Sequence, residues 1–368
     1  STFLDEVDSS YFNEKMTSIE IYAKNVNLPI EPTYFNNVSK IRLVNCRLST
    51  PPPSLSNYSM LVVLDLCENK LTDFPSNFFE SFPKLSSLDI SSNKLKNLNC
   101  KLPSTLTTLN VSYNESLDIN SIWKQYLPLL TTLRASFCNI DELPCYEELD
   151  PTNDNLDSNS SDDDYSTNSS LPVFASSLTS LNLDGNNLTH IPPILSHFSE
   201  LEDLSLYGNM INQIDPISFS HPLRSLNISY NKLEDQNKVN FTSEAHVNSL
   251  TFSANIINDF PISLFNISDI KILSLLRIGL NGIIDVEFPQ SLIAIDLSHN
   301  KITSFSEKCI RSMKNLLALN ISFNNINELP DAFSIIGTGD EKFHLSKFFA
   351  DHNRISNIPT SLLSSNFM

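Results

Sequence analysis

Glycine is nearly missing from this chain: 6 residues in 368, where average usage of roughly 7% would give about 26. That excludes the Gly-rich loops that cradle phosphates, and neither G-x-G-x-x-G nor G-x-x-x-x-G-K-[ST] occurs. Positive charge is also scarce, 24 Lys and Arg against 42 Asp and Glu, for a net charge of −18. A nucleic-acid partner needs a clustered basic face, so none is expected. No run of about 18 apolar residues spans a membrane, and the acidic start Ser1-Thr2-Phe3-Leu4-Asp5-Glu6 is no signal peptide. The 6 cysteines (Cys46, Cys67, Cys100, Cys138, Cys145 and Cys309) form no C-x-x-C pair, which argues against a disulfide framework or a zinc site. The 7 histidines are scattered and form no H-E-x-x-H. No enzyme activity, metal or other cofactor is expected.

What is abundant is Asn, Phe (23) and Pro (20), and it recurs with a period. Leu61-Val-Val-Leu64-Asp-Leu66-Cys-Glu-Asn69-Lys-Leu71 aligns with Leu85-Ser-Ser-Leu88-Asp-Ile90-Ser-Ser-Asn93-Lys-Leu95, giving L-x-x-L-x-L-x-x-N-x-L. The template returns from Leu178, Leu201, Leu223, Leu292 and Leu316. It is degraded but visible from Met16, Val38, Leu106, Leu130, Val247, Ile270 and Leu345. These fourteen units are mostly 21–24 residues apart. Positions 4 and 6 alternate with polar neighbours, so they belong on the buried face of a short strand. Position 9 is Asn in ten units, and an inward amide there can bond backbone groups freed where the strand turns. Cys46 and Cys138 stand in for it. Each strand is followed by a return such as Phe74-Pro75-x-x-Phe78-Phe79-x-x-Phe82, where Pro fixes φ and the apolar residues close the core. Turned by Asn and Pro, such a coil is expected to need few left-handed positions, which would explain the glycine shortage.

This pattern resembles the leucine-rich-repeat family over residues 16–368. The resemblance implies an α/β repeat solenoid: a curved horseshoe with a parallel β-sheet on the concave face and irregular or short helical convex segments. Residues 1–15 are expected to be a partial cap or partial repeat. The last repeat is truncated, so further chain is expected beyond Met368. The irregular spacing and missing Cys caps resemble intracellular members, above all the repeat regions of fungal adenylate cyclases and of repeat-containing protein phosphatases. What this implies is a cytoplasmic protein-interaction module whose partner is a protein, a Ras-like GTPase or a signalling enzyme. The alternative is an extracellular receptor ectodomain. Eleven N-x-[ST] sequons bear weakly on it, because chance alone supplies roughly eight by the motif definition.

Departures from the template are few. The 48-residue step from Leu130 to Leu178 holds an acidic insertion at about 145–170, whose eight carboxylates account for the difference between −18 and −10. Its composition cannot bury enough apolar surface to order itself. Ser160 and Ser161 each have Asp three residues on, which makes them candidate phosphorylation sites. A smaller insertion falls at Gly337–Glu341. Ile278 and Lys24 replace the ladder Asn in repeats eleven and one.

Positions 3, 5 and 7 form the candidate binding surface. Position 5 begins Glu20, Arg42, Asp65, Asp89, which reads as a surface charge ladder ending in a like-charge pair. With Glu68, Asp65 and Asp89 could receive a partner's Lys or Arg. Asp184, Asp203 and Tyr207 form a second cluster, and Tyr22 and Phe349 are exposed aromatics of the type that anchors interfaces. At position 8, Tyr113, Phe137, Tyr230 and Phe323 are expected to pack over the neighbouring repeat. Ser298, Asp351 and the position-8 residues His299 and His352 do not read as a catalytic triad.

Overall fold

The computed structural model describes residues 17–21, 37–144, 171–329 and 345–358. The N-terminal segment, Tyr22, Lys24, the acidic insertion with Ser160 and Ser161, and Gly337–Glu341 lie outside the described residues.

Its contacts divide the chain into two compact units, Ser1–Asn182 with Pro192–Glu200, and Leu183–Ile191 with Leu201–Met368. Among its described residues the first unit carries seven parallel strands in chain order: β1 (Ser18–Ile21), β2 (Lys40–Leu43), β3 (Val63–Asp65), β4 (Ser87–Asp89), β5 (Thr108–Asn110), β6 (Thr132–Arg134) and β7 (Ser180–Asn182). Their register aligns Leu64, Leu88, Leu109, Leu133 and Leu181 on one row, all at most 1% exposed. A one-residue slip would turn that whole row to solvent, so the leucines themselves fix the register.

The second unit carries β8 (Asp203–Ser205), β9 (Leu223–Asn227), β10 (Val247–Thr251), β11 (Ile272–Ser274), β12 (Asn281–Ile284), β13 (Ala294–Asp296), β14 (Lys301–Phe305), β15 (Ala318–Asn320) and β16 (Lys347–Phe349). Seven of them, β8-β9-β10-β11-β13-β15-β16, form the repeat sheet, and β12 pairs with β14 in a separate parallel ribbon. The ribbon is a finding the repeat template did not anticipate.

Among the described residues, the returns are short 3₁₀ turns and two brief helices, α1 (Asn120–Trp123) and α2 (Glu307–Ser312). Helix α2 begins where Ser306 Oγ accepts the Cys309 amide, satisfying an otherwise orphaned N–H. Phe74, Phe78, Phe79 and Phe82 close the core at centroid spacings of 5.0–6.4 Å. Trp123 packs edge-on against Phe174. These return-segment phenylalanines are therefore core, as their placement beside the prolines implies.

The position-9 ladder is present. Asn114, fully buried, donates Nδ2 to Ile90 O, Val111 O and Ser112 O and accepts the Leu95 amide at 3.0 Å. Asn69, Asn93, Asn209, Asn231 and Asn324 repeat that arrangement. Cys46 and Cys138 fill the slot with a thiol 3.4 Å from two carbonyls each. Where Ile278 breaks the ladder, Asn300 compensates: its Oδ1 accepts three consecutive amides, Ile278, Gly279 and Leu280, at 3.0–3.1 Å.

The expected reason for the glycine shortage is overturned. Position 8 is left-handed in all thirteen described repeats that show it, with φ between 53° and 67°. Only Gly185 and Gly208 supply it with glycine; elsewhere it falls to residues such as Glu68, Tyr113, Phe137, Ala254, Arg277 and His299. Each such residue carries a steric cost of roughly 1–2 kcal/mol. The geometry is held because the position-8 amide extends the ladder to the next repeat, as from Tyr113 N to Ser136 O at 2.7 Å and from Arg277 N to Ser298 O at 3.1 Å. The fold needs one left-handed residue per repeat and obtains it mostly without glycine.

Candidate partner-binding face

On the solvent face of the first unit's sheet, position 5 runs in register through Glu20, Arg42, Asp65, Asp89, Asn110, Arg134 and Asn182. The charge ladder forms: Arg42 Nε meets Asp65 Oδ2 at 2.8 Å and its Nη1 lies 3.8 Å from Glu20, which also takes Lys40 at 3.3 Å.

Asp65 and Asp89 are not open acceptors for a partner's cation. Asp65 is buried, and its second oxygen accepts the Cys67 amide at 3.1 Å. Asp89 Oδ1 accepts the Ser91 amide and hydroxyl, and Oδ2 accepts Asn110 Nδ2 at 2.9 Å. The cause is local: an Asp or Asn at position 5 bonds the amide two residues on, an Asx-type turn that ends the strand. Asn110, Asn227, Asp296 and Asn320 do the same to Ser112, Ser229, Ser298 and Ser322. Glu68 remains exposed at its left-handed position.

Two residues of this face are not among those expected from the sequence. Cys67 lies between the two aspartates, and ligand atoms of Asp65, Cys67 and Asp89 fall within 4.8 Å of one another. Burial, the bond to Asp65 and the charges of Asp65, Asp89 and Glu68 push its thiol well above the usual cysteine range. With the carboxylate oxygens already bonded, the trio reads as a protonated thiol in a hydrogen-bonded turn. Arg134 is the other. It is exposed and has no ion-pair partner among the described residues, in contrast to Lys40 and Arg42. Its signal was available, since it is the position-5 residue of repeat six. Around it the floor is small and polar: Ser87, Thr108, Thr132 and Ser180 at position 3, with Asn110 and Asn182 beside it. Tyr113 and Phe137 stack at 4.6 Å on the edge of the same two repeats, packing over each other as expected.

In the second unit, Asp184 Oδ1 accepts the Ser205 hydroxyl and the Tyr207 amide, so Asp184 and Tyr207 do come together. Asp203 is instead held by Arg224, from position 2 of the next repeat. Tyr207 meets Tyr230 at 4.9 Å, and Phe349 is exposed on β16. Asp351 lies between Ser322 Oγ and His352 Nδ1, and Ser298 bonds Asp296. A carboxylate between serine and imidazole cannot activate the serine, so these residues make no triad.

The periodic strands, the ladder and the Pro-marked returns are matched by a family model, described as leucine rich repeat, over residues 36–95, 59–115, 176–233 and 287–334, just over half of the chain. The chain belongs to the leucine-rich-repeat family. The leucine-rich-repeat fold is a non-catalytic binding scaffold. Podocan-like protein 1 of Mus musculus is 26% identical over 83% of this chain and 50% of its own length. Adenylate cyclase of Schizosaccharomyces pombe is 24% identical over 74% of the chain and 16% of its own. Keratocan of Coturnix japonica is 28% identical over 50% of the chain and 47% of its own. The leucine-rich repeats thus span about half the length of the first curated relatives they match. Among solved structures, a leucine-rich-repeat protein of Leptospira interrogans superposes with a TM-score of 0.67 at 20% identity, covering 100% of this chain and 86% of that one. In the Drosophila Toll–Spatzle complex the TM-score is 0.64 at 18% identity, covering 94% and 49%. No helix of the described residues is long and apolar enough to cross a membrane. Three sequons, at Asn110, Asn227 and Asn320, are simply the position-5 to position-7 stretch of the template, and a fourth, at Asn114, is a buried ladder amide.

Proposed function

We propose that this leucine-rich-repeat domain is the partner-binding segment of a larger intracellular signalling protein, and that the solvent face of the first unit's sheet takes a protein partner. The observation that carries the reading is Arg134, an exposed guanidinium without an ion-pair partner among the described residues, set in a floor of Ser, Thr and Asn. A fork of five donors amid neutral hydrogen-bonding groups suits a carboxylate or carbonyl presented by another protein. Arg42, Glu68 and Asp89 border this floor, and Asp184, Asp203, Tyr207 and Phe349 offer further contacts on the second unit. The test is crosslinking mass spectrometry on the full-length protein in its own cells. Arg134→Glu should remove crosslinks to β4–β7 while leaving thermal unfolding unchanged; crosslinks that persist there would refute the assignment.

The intracellular context is supported by the thiols of Cys67, Cys100 and Cys309, which form no disulfide among the described residues. Reduced cysteines persist in cytosolic conditions, whereas secreted domains of this kind tend to close them into disulfides. The similarity to the fission-yeast adenylate cyclase agrees with that context, and a Ras-like GTPase is the partner to try first. Binding that depends on whether such a GTPase holds GTP or GDP would test it. A secreted reading is favoured by the similarity to podocan-like protein and keratocan. It predicts glycans at Asn57 and Asn240, whose side chains are exposed within sequons, and intact-mass analysis of the native protein decides between the two.

A further inference from the structure

Positions 8 and 10 flank the buried ladder residue at the edge where the chain leaves each strand. In repeats eleven to fourteen of the second unit they read Arg277, His299, Phe323 and His352, then Gly279, Lys301, Asn325 and Arg354. No carboxylate occupies either position, in a protein whose acids outnumber its bases 42 to 24. Arg277, Lys301 and Arg354 are exposed and have no ion-pair partner among the described residues. The three rings form a column, His299 on Phe323 and Phe323 on His352, each at 4.1 Å and within 11° of parallel. All three sit at left-handed φ, so the backbone holds the rings at this edge. The neighbouring carboxylate, Asp351, is taken by Ser322 Oγ and by His352 Nδ1 at 2.9 Å.

We propose that this edge is a second docking surface, distinct from the sheet face, and that it binds an acidic segment of a partner protein. Two features select that chemistry. Guanidinium and ammonium groups lacking internal partners attract carboxylates, bidentately in the case of arginine. Ring edges carry the positive part of the aromatic quadrupole, and the stack presents edges to solvent because its internal faces are already in contact. The same stacking disfavours single-stranded nucleic acid, which needs open ring faces on which bases can lie.

The experiment measures fluorescence anisotropy of a labelled peptide of alternating Asp and Glu against the whole protein. A labelled oligothymidylate of equal charge runs in parallel. The peptide should bind at about 50 mM salt and weaken steeply by about 500 mM, where screening is several-fold stronger. Arg277→Glu with Lys301→Glu should weaken it roughly tenfold or more. Arg47→Glu with Lys70→Glu, the same kind of exposed edge in the first unit, should leave it unchanged. Should the reversal pair lower the unfolding temperature, Arg277→Gln with Lys301→Gln removes the charge without adding repulsion and must still weaken binding. Failure of the wild type to bind at low salt, equal loss in the first-unit control, or tighter binding of the oligonucleotide would each overturn the proposal.

Discussion

Replacing Asn300 by alanine tests the ladder where it carries the most. Its Oδ1 accepts three amides and its Nδ2 donates to Leu275 O, Leu297 O and Ser298 O at 2.9–3.2 Å. An amide has two lone pairs and two protons, so these six contacts amount to about four full hydrogen bonds. The bonds to Gly279 N is part-buried and can be replaced by water; those to Ile278, Leu280, Leu275 and Leu297 are buried. Each buried group left unsatisfied costs about 1–3 kcal/mol, and water entering the vacated space recovers part of it. The expected loss is about 4 kcal/mol, roughly 1 kcal/mol more than for Asn209→Ala or Asn231→Ala, where Oδ1 accepts a single amide. Urea unfolding followed by circular dichroism measures the total, and amide exchange at 278–280 measures the local part. A loss below about 1 kcal/mol, with those amides still protected, would mean that Asn300 does not compensate for Ile278. Asn300→Asp sharpens the comparison: it keeps the acceptor and loses the donor, so the amides should stay protected although the protein is destabilised.

Ala254→Gly should stabilise the protein by roughly 0.5–1 kcal/mol in urea unfolding, because Ala254 sits at φ 55° and relief there outweighs the added freedom of the unfolded chain. Gly279→Ala should cost about 2 kcal/mol or more, since φ is 90° and a Cβ would lie 2.7 Å from Asn258 Oδ1; adding Asn258→Ala should recover only the steric part. Burial pushes the thiols of Cys100 and Cys138 up to about 11 and that of Cys309 up to about 12. Their folded values exceed the unfolded ones, so the folded state holds the protons longer. That contribution is complete below about pH 8.5 and is lost as pH rises toward 11–12, so urea midpoints should fall over this range, less steeply in Cys309→Ala. Cys67 should alkylate slowly at pH 8 despite its partial exposure, and Asp89→Asn should speed it; a rate equal to that of a free thiol would contradict the hydrogen-bonded turn.

The strands and the ladder were legible because both follow from period alone: Leu64 and Leu66 must face inward, and an inward Asn69 must find backbone partners. The β12–β14 ribbon was not, since Asn281-Gly-Ile-Ile occupies a stretch that elsewhere forms an irregular return. Nor was the left-handed position 8. Its residues, from Glu68 to Phe323, share no chemistry, and only the hydrogen bond to the next repeat reveals why they adopt it. At the binding face, Arg42–Asp65 could be read from adjacent rungs, whereas Arg224–Asp203 joins position 2 to position 3 and crosses the template. Asp65 and Asp89 looked available because a list of charges does not show which oxygens already accept backbone amides.

The ladder also has a direction. Each asparagine closes its own strand end and also reaches back: Asn93 donates to Ile90 O in its own repeat but accepts from Leu71 and donates to Leu66, Asn231 accepts from Ile211 and donates to Leu206, and these contacts across the boundary run to the preceding repeat. A repeat therefore cannot complete its own polar closure; its successor does so. Cutting the chain between two repeats leaves unlike ends. The upstream piece ends in a buried amide and carbonyl deprived of partners, whereas the downstream piece begins with an asparagine that has merely lost two contacts and can turn to water. Deletions from the C-terminal side should unravel the repeat before the cut, and deletions from the N-terminal side should leave the next repeat largely intact.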